Sequence, residues 1–365
     1  MNALLLSLLL ARAVSAAPSV APEKIGAMLM VGFEGTTSTD AWPAKLGTQI
    51  EKGEVGGVIL FKRNITGKDG VAALNSFFKS KDKTVLVAVD QEGGKVQRLN
   101  AANGFESFPS AQEVGAGTAT AAEAARTYRR MGKMLAEAGF NVDMAPVVDV
   151  DHEPPSPVIG GLMRSFSKDP ETVVKYAVAM SRALAEEGVL ACVKHFPGHG
   201  SAQGDTHEGL VDVTSTWSEA ELAPFYRTVR DRHGPRMVMT AHIINTKLDP
   251  KYPATFSPTI LKDLLRAKLG RDIVVVSDDM HMGAVMKNYG FEEGVVLAVN
   301  AGVDLLIFSN NPLAAKGVEG FLPDPDLPAR VTKIISDAVA AGRIPASRIE
   351  ESYRRLKKLK ARLKA

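Results

Sequence analysis

A single cysteine, Cys192, in 365 residues excludes an internal disulfide framework and any multi-cysteine zinc or iron–sulfur site. An excess of one charge is missing too. The 44 Lys and Arg stand against 41 Asp and Glu, which gives no argument for a nucleic acid or an anionic membrane as the main partner. No apolar run approaches the roughly 20 residues of a membrane-spanning helix, so stable membrane insertion is not expected. The 32 glycines and 20 prolines are too few and too dispersed for a collagen-like or low-complexity chain. No Gly-x-Gly-x-x-Gly turn follows the early apolar runs, so a dinucleotide site would lack its phosphate-binding turn. Nor does a Pro/Ser-rich linker divide the chain, and one continuous domain is the simpler expectation.

The first segment reads as an address. A seven-residue apolar run, residues 4–10, is followed by Ala13-Val14-Ser15-Ala16, which predicts a signal peptide over residues 1–16 and export to the periplasm or the exterior. The first basic residue, Arg12, falls after the run, so a packed N-terminal helix of a cytoplasmic protein is the alternative.

Beyond it, short and nearly all-apolar runs at 55–61, 84–90, 142–150, 189–195, 237–242, 273–278 and 303–309 alternate with helical patterns. Such runs fit parallel strands covered on both faces. Helix punctuation lies between them. Asp169-Pro170 opens a helix with Val173, Ala177, Met180 and Leu184 on one face and Gly188 at its end; Ser218 with Glu221 forms a capping box; Ser257-Pro258 opens a helix that closes at Gly270. With 26–33 as an eighth strand, or as a helix leading into one, the pattern predicts an α/β fold, a single-domain (β/α)8 barrel over residues 17–345. An open doubly wound sheet is the runner-up. A basic C-terminal helix, 346–365, is expected to pack through Ile349, Leu356 and Leu363, with its cations, among them Arg354, Arg355 and Lys358, on a solvated face.

The polar residues fall at strand ends. Asp90, Asp149, Lys194-His195, His242, Asp278 and Ser309 each close an apolar run, and in a barrel those ends share one rim. Two clusters carry chemistry. In Lys194-His195-Phe196-Pro197-Gly198-His199-Gly200, followed after four residues by Asp205-Thr206-His207, a carboxylate stands two residues from an imidazole and can fix its tautomer. In Ser277-Asp278-Asp279-Met280 two acids leave a buried strand together, one of them a candidate nucleophile. By spacing alone, His195, His199, Asp205 and His207 could equally be metal ligands, whereas Cys192 reads as a buried, inert thiol.

The first cluster resembles the signature of the β-N-acetylglucosaminidase branch of glycoside hydrolase family 3. Asp90-Gln91-Glu92-Gly93-Gly94-Lys95-Val96-Gln97-Arg98, Thr240-Ala241-His242 and Ser277-Asp278-Asp279-Met280 with Met282-Gly283-Ala284 resemble further blocks of that branch. The resemblance implies a single (β/α)8 domain, no metal or other cofactor, and exo-removal of terminal β-linked N-acetylglucosamine, typically from peptidoglycan fragments such as muropeptides. It implies Asp278 as nucleophile, Asp205 and His207 as an acid/base dyad on a mobile loop, and Asp90, Arg98, Arg164, Lys194 and His195 as sugar contacts. Two departures stand out: Thr206 replaces a serine, and the stretch 159–167 around Arg164 is longer than the family pattern. Competing readings are a substrate-assisted hexosaminidase using Asp278-Asp279, a family 3 β-glucosidase or phosphorylase, a metal-dependent hydrolase, and a sugar-binding protein without activity.

Overall fold

The computed structural model describes residues 19–117, 119–270 and 272–363. The expected signal peptide, 1–16, lies outside the described residues. Eight parallel strands, β1 (Leu29–Val31), β2 (Gly57–Leu60), β3 (Leu86–Val89), β4 (Val142–Asp143), β5 (Leu190–Phe196), β6 (Met237–Thr240), β7 (Val274–Asp279) and β8 (Leu305–Phe308), close into a barrel. Each pairs with the next, and β8 returns to β1 with Leu29 opposite Leu306. The expected (β/α)8 barrel is the observed fold, and the doubly wound alternative falls with the closure.

The strands are apolar on both faces because one face fills the barrel and the other meets the helices. Val58, Leu60, Leu86, Val87, Val274, Val275 and Leu305 are all fully buried. The 26–33 stretch divides: Pro22–Gly26 is a short helix and β1 follows it. The 142–150 run yields only a two-residue strand, joined further along by a lone bridge from Val147 to Lys194. Pro146 stands between the two and offers no N–H to the ladder.

Helix punctuation works as its chemistry dictates. The Asp169 carboxylate accepts from the amides of Glu171 (3.2 Å) and Thr172 (3.1 Å), Pro170 occupies the first turn, and Val173, Ala177, Met180 and Leu184 are buried. Gly188 ends that helix with φ at +82°, a conformation that favours glycine. Ser218 and Glu221 cap the turn leading into the helix Ala223–Arg230, and the segment Thr259–Leu269 forms one wide π-helical stretch completed by a short α turn before Gly270.

At the N-terminal end of the barrel the C-terminal helix, Ala346–Lys360, departs from expectation. Ile349 and Leu356 are buried as anticipated, but so is Arg355, together with Arg348. Both reach Asp304, just before β8, at 3.0 and 2.7 Å, and Arg266 reaches the same carboxylate at 2.5 Å. Part of the basic face is therefore an internal clamp. Among the described residues no helix is long and apolar enough to cross a membrane.

Candidate active site

The C-terminal strand ends surround a cavity of about 510 Å³. Its wall includes Asp90, Arg98, Arg164, Lys194, His195, His207 and Asp278, seven of the eight side chains expected at the site; the eighth, Asp205, stands behind His207. Of the other rim residues, Asp149, His242 and Ser309 support the wall rather than line it.

One side of the cavity is an ion network built on the hairpin that follows β3. Asp90 accepts from Arg98 at 3.0 Å and from Lys194 at 2.9 Å. Two residues on, and so on the same face of the extended chain, Glu92 takes both guanidinium forks of Arg164 at 2.8 Å and Lys194 at 2.7 Å. Burial alone would raise both carboxyls, but Arg164 and Lys194 hold Glu92 down at about 2, and Lys194 and Arg98 hold Asp90 well below the usual carboxylate range. Burial likewise opposes the charges of Lys194 and Arg164, and their carboxylate partners raise both above their ordinary values. The network presents fixed donors to an oxygen-rich ligand without needing to reorganise. The long 159–167 stretch does not displace Arg164: a 3-10 turn, Gly160–Leu162, and Met163 in the left-handed region (φ 61°) absorb the added length.

His195 is held by a fully buried carboxylate. Asp149 accepts from the His195 ring Nδ1 at 2.7 Å, from the His195 amide at 3.1 Å and from the His199 amide at 2.8 Å. A carboxylate only accepts, so Nδ1 carries the proton and Nε2 is left to the cavity side, 3.4 Å from Arg164. His199 is buried nearby; burial first, and then His195, lower it to about 4, which keeps it neutral.

Asp278, the last residue but one of β7, stands in the cavity wall, its Oδ1 accepting from the Asp279 amide at 2.8 Å. Burial pushes its pKa up, yet His195, His242, that amide and His207 outweigh burial and leave it below the ordinary value. It is therefore an ionised, poorly solvated carboxylate at neutral pH. Asp279 also lines the cavity, and its Oδ2 has no hydrogen-bond partner among the described residues. Its Oδ1 accepts from the amides of His281 (3.1 Å) and Ser309 (2.9 Å), tying the ends of β7 and β8 together.

His207 lines the same cavity as Asp278. The Asp205 Oδ1 accepts from its Nδ1 at 2.8 Å and from its amide at 2.9 Å, which leaves Nε2 as the nitrogen able to work on a ligand. Asp205 stays ionised: burial raises it, but the amide, ring and charge of His207 lower it further. Thr206, in place of a serine, is buried with its hydroxyl 3.4 Å from His199 Nε2 and does not disturb its two neighbours.

The four side chains considered as a metal set do not converge. Among the described residues no group of three or more His, Cys, Asp or Glu could hold a metal ion. Cys192 is buried in β5, and burial pushes its thiol far above its ordinary value, so it is no nucleophile. Three contributors have roles that the sequence does not show: Glu92, which stands there only within a family-like block, Asp149, only a strand end, and His199, only a possible metal ligand. The i, i+2 spacing of Asp90 and Glu92 was the available signal for the first.

Comparison with known proteins agrees with this geometry. The model for the glycosyl hydrolase family 3 N-terminal domain matches residues 20–359. The chain belongs to glycosyl hydrolase family 3. It is 36% identical over 285 residues to a β-hexosaminidase of Neisseria meningitidis, covering 75% of this chain and 77% of that one. A solved family 3 β-N-acetylglucosaminidase from Paenibacillus superimposes with a TM-score of 0.82 at 34% identity, covering 94% of this chain, which spans 62% of that protein. A solved β-N-acetylhexosaminidase from Beutenbergia cavernae gives 0.80 at 30% identity, with 94% and 99% covered. This family 3 member is accordingly a glycoside hydrolase, and its cavity is placed where barrel enzymes work, at the C-terminal ends of the strands.

Proposed function

We propose that this family 3 hydrolase is an exo-acting, retaining β-N-acetylglucosaminidase. The observation that carries the reading is that Asp278, an ionised carboxylate, and His207, an imidazole with one nitrogen to spare, line the same cavity. Asp278 attacks the anomeric carbon while the His207 Nε2–H protonates the departing glycosidic oxygen, so one C–O bond forms as the other breaks. The resulting imidazole then takes a proton from water, whose oxygen attacks the same carbon and frees Asp278. Asp205 stabilises the imidazolium at both steps. Asp90, Arg98, Arg164, Lys194 and His195 hold the terminal sugar.

Preference for an N-acetylated sugar rests on the relatives, which are named for that activity. Direct attack is favoured over the substrate-assisted route because the second acid, Asp279, has one of its oxygens fixed by two amides that tie β7 to β8. Peptidoglycan fragments are the substrates we favour, with export to the cell wall as the setting. Lys62 lines the cavity and has no ion-pair or hydrogen-bond partner for its ammonium among the described residues, an arrangement suited to the carboxylates of such fragments.

The deciding experiment is turnover of an aryl β-N-acetylglucosaminide beside the corresponding β-glucoside, with and without added phosphate. Faster release from the N-acetylated substrate is expected, with free N-acetylglucosamine as product; preference for the glucoside, or accumulation of the sugar 1-phosphate, would reassign the chain within the family. Chelator should leave the rate unchanged. For His207→Ala, kcat/KM on N,N′-diacetylchitobiose should fall by about 10²- to 10⁴-fold, whereas hydrolysis of a dinitrophenyl glycoside, limited to its first step, should lose far less. Equal losses on both substrates would remove His207 from the acid/base role.

A further inference from the structure

The loop bearing Asp205 and His207 is seated on the turn that follows β7. The Ala284 amide donates to the Thr206 carbonyl at 3.1 Å and the Gly283 amide to the His207 carbonyl at 3.2 Å. The Lys287 ammonium donates to the Glu208 carbonyl at 2.8 Å, and Lys316 pairs with the Glu208 carboxylate at 2.6 Å. The acid/base candidate is thus referenced, through its own backbone, to a segment that begins five residues after Asp278.

The fit at Gly283 leaves no room for a side chain. A Cβ there would stand 2.5 Å from the His207 carbonyl oxygen and 3.1 Å from the carbonyl carbon and oxygen of Glu208. All three are backbone atoms, which cannot swing aside as the end of a long side chain does. Gly283 is not among the glycines with positive φ, so its backbone conformation would accept any residue. Contact, not torsion, is what calls for glycine. We infer that Gly283 is a positioning residue: its bare Cα sets how deeply the loop seats, and hence where His207 stands relative to Asp278. This rests on the reading of His207 as the acid/base, and it adds a residue that touches neither substrate nor the reacting atoms.

Gly283→Ala tests it. Alanine is the better helix former at the start of Gly283–Met286, so Tm should stay within about 3 °C of the parent. The expected kinetic result is a split. On N,N′-diacetylchitobiose kcat falls by about 10- to 100-fold with a much smaller change in KM, while the first step on a dinitrophenyl glycoside loses less than about 3-fold. Hydrogen exchange across 205–208 should quicken in the free enzyme. Lys287→Met, which removes the bond to the Glu208 carbonyl without adding an atom to the seat, should show the same split at smaller size, and it decides the matter should Gly283→Ala fail to fold. His207→Ala is measured alongside. If His207→Ala splits the two substrates but Gly283→Ala and Lys287→Met leave both rates alone, or lower both equally, the positioning role is refuted while the acid/base assignment stands. If His207→Ala itself shows no split, both readings fall.

Discussion

Asp278→Asn is expected to lower kcat/KM on aryl β-N-acetylglucosaminides by about 10⁴-fold with at most a small fall in Tm. Both halves follow from the same local arrangement. The carboxylate is ionised at neutral pH by nearby imidazoles and one amide, not by a paired cation. An amide of the same shape keeps its place in the wall but cannot become a leaving carboxylate, so the glycosyl-enzyme route is closed. Because the neighbouring imidazoles and amide outweigh burial and keep the carboxyl below its ordinary value, the charge favours the fold slightly, and its loss should cost a little stability and gain none. A fluorinated glycosyl donor followed by peptide mass spectrometry supplies the complementary result: the parent should carry the sugar on Asp278. Strong inhibition by a thiazoline without any labelled peptide would mean that the substrate's own acetamido group is the nucleophile. An Asn variant that retains a tenth of the parent rate would rule out Asp278 under either chemistry.

The barrel was legible because its strands are buried on both sides, so β2, β3, β5, β6, β7 and β8 read as nearly unbroken apolar runs, all but β2 with a polar residue at one end. That end became the rim of a cavity, which is why residues from Asp90 to Asp278, 188 positions apart, could be grouped before any contact was known. β4 was overestimated because Pro146 interrupts its ladder, an effect that depends on which neighbour the strand faces. Residues beneath the rim were harder. Asp149 was visible as a strand end, but its bonds to two amides and the His195 ring depend on the turn after β5. Glu92 stands in one of the family-like blocks, yet its role comes from Arg164 and Lys194, 72 and 102 positions later, which converge on it in the fold. Arg355 was misread for the mirror-image reason: within a run of cations it looks solvated, and its partner Asp304 lies 51 residues upstream.

The largest effect on stability should come from that partner. Asp304→Asn keeps shape and volume but withdraws the carboxylate that Arg266, Arg348 and Arg355 share, and breaking one side of a buried ion cluster typically costs about 3–5 kcal/mol. In a chain of this size that corresponds to a fall in Tm of roughly 4–7 °C. Activity per folded molecule should persist, since Asp304 lies at the end of the barrel away from the cavity. The pH dependence gives a second check. Burial raises the Asp304 carboxyl, but the three arginines and the Val275 amide bring it down to about 2 from its ordinary 3.8. A carboxyl depressed in the folded state stabilises fully above its unfolded value, and that contribution drains away as pH falls through the folded one. The gap in Tm between parent and Asp304→Asn should therefore be constant above about pH 5 and narrow progressively from about pH 4 toward pH 2. A variant that melts with the parent at pH 7 would mean that the arginines find other partners, and that the C-terminal helix is held by Ile349 and Leu356 rather than by the clamp.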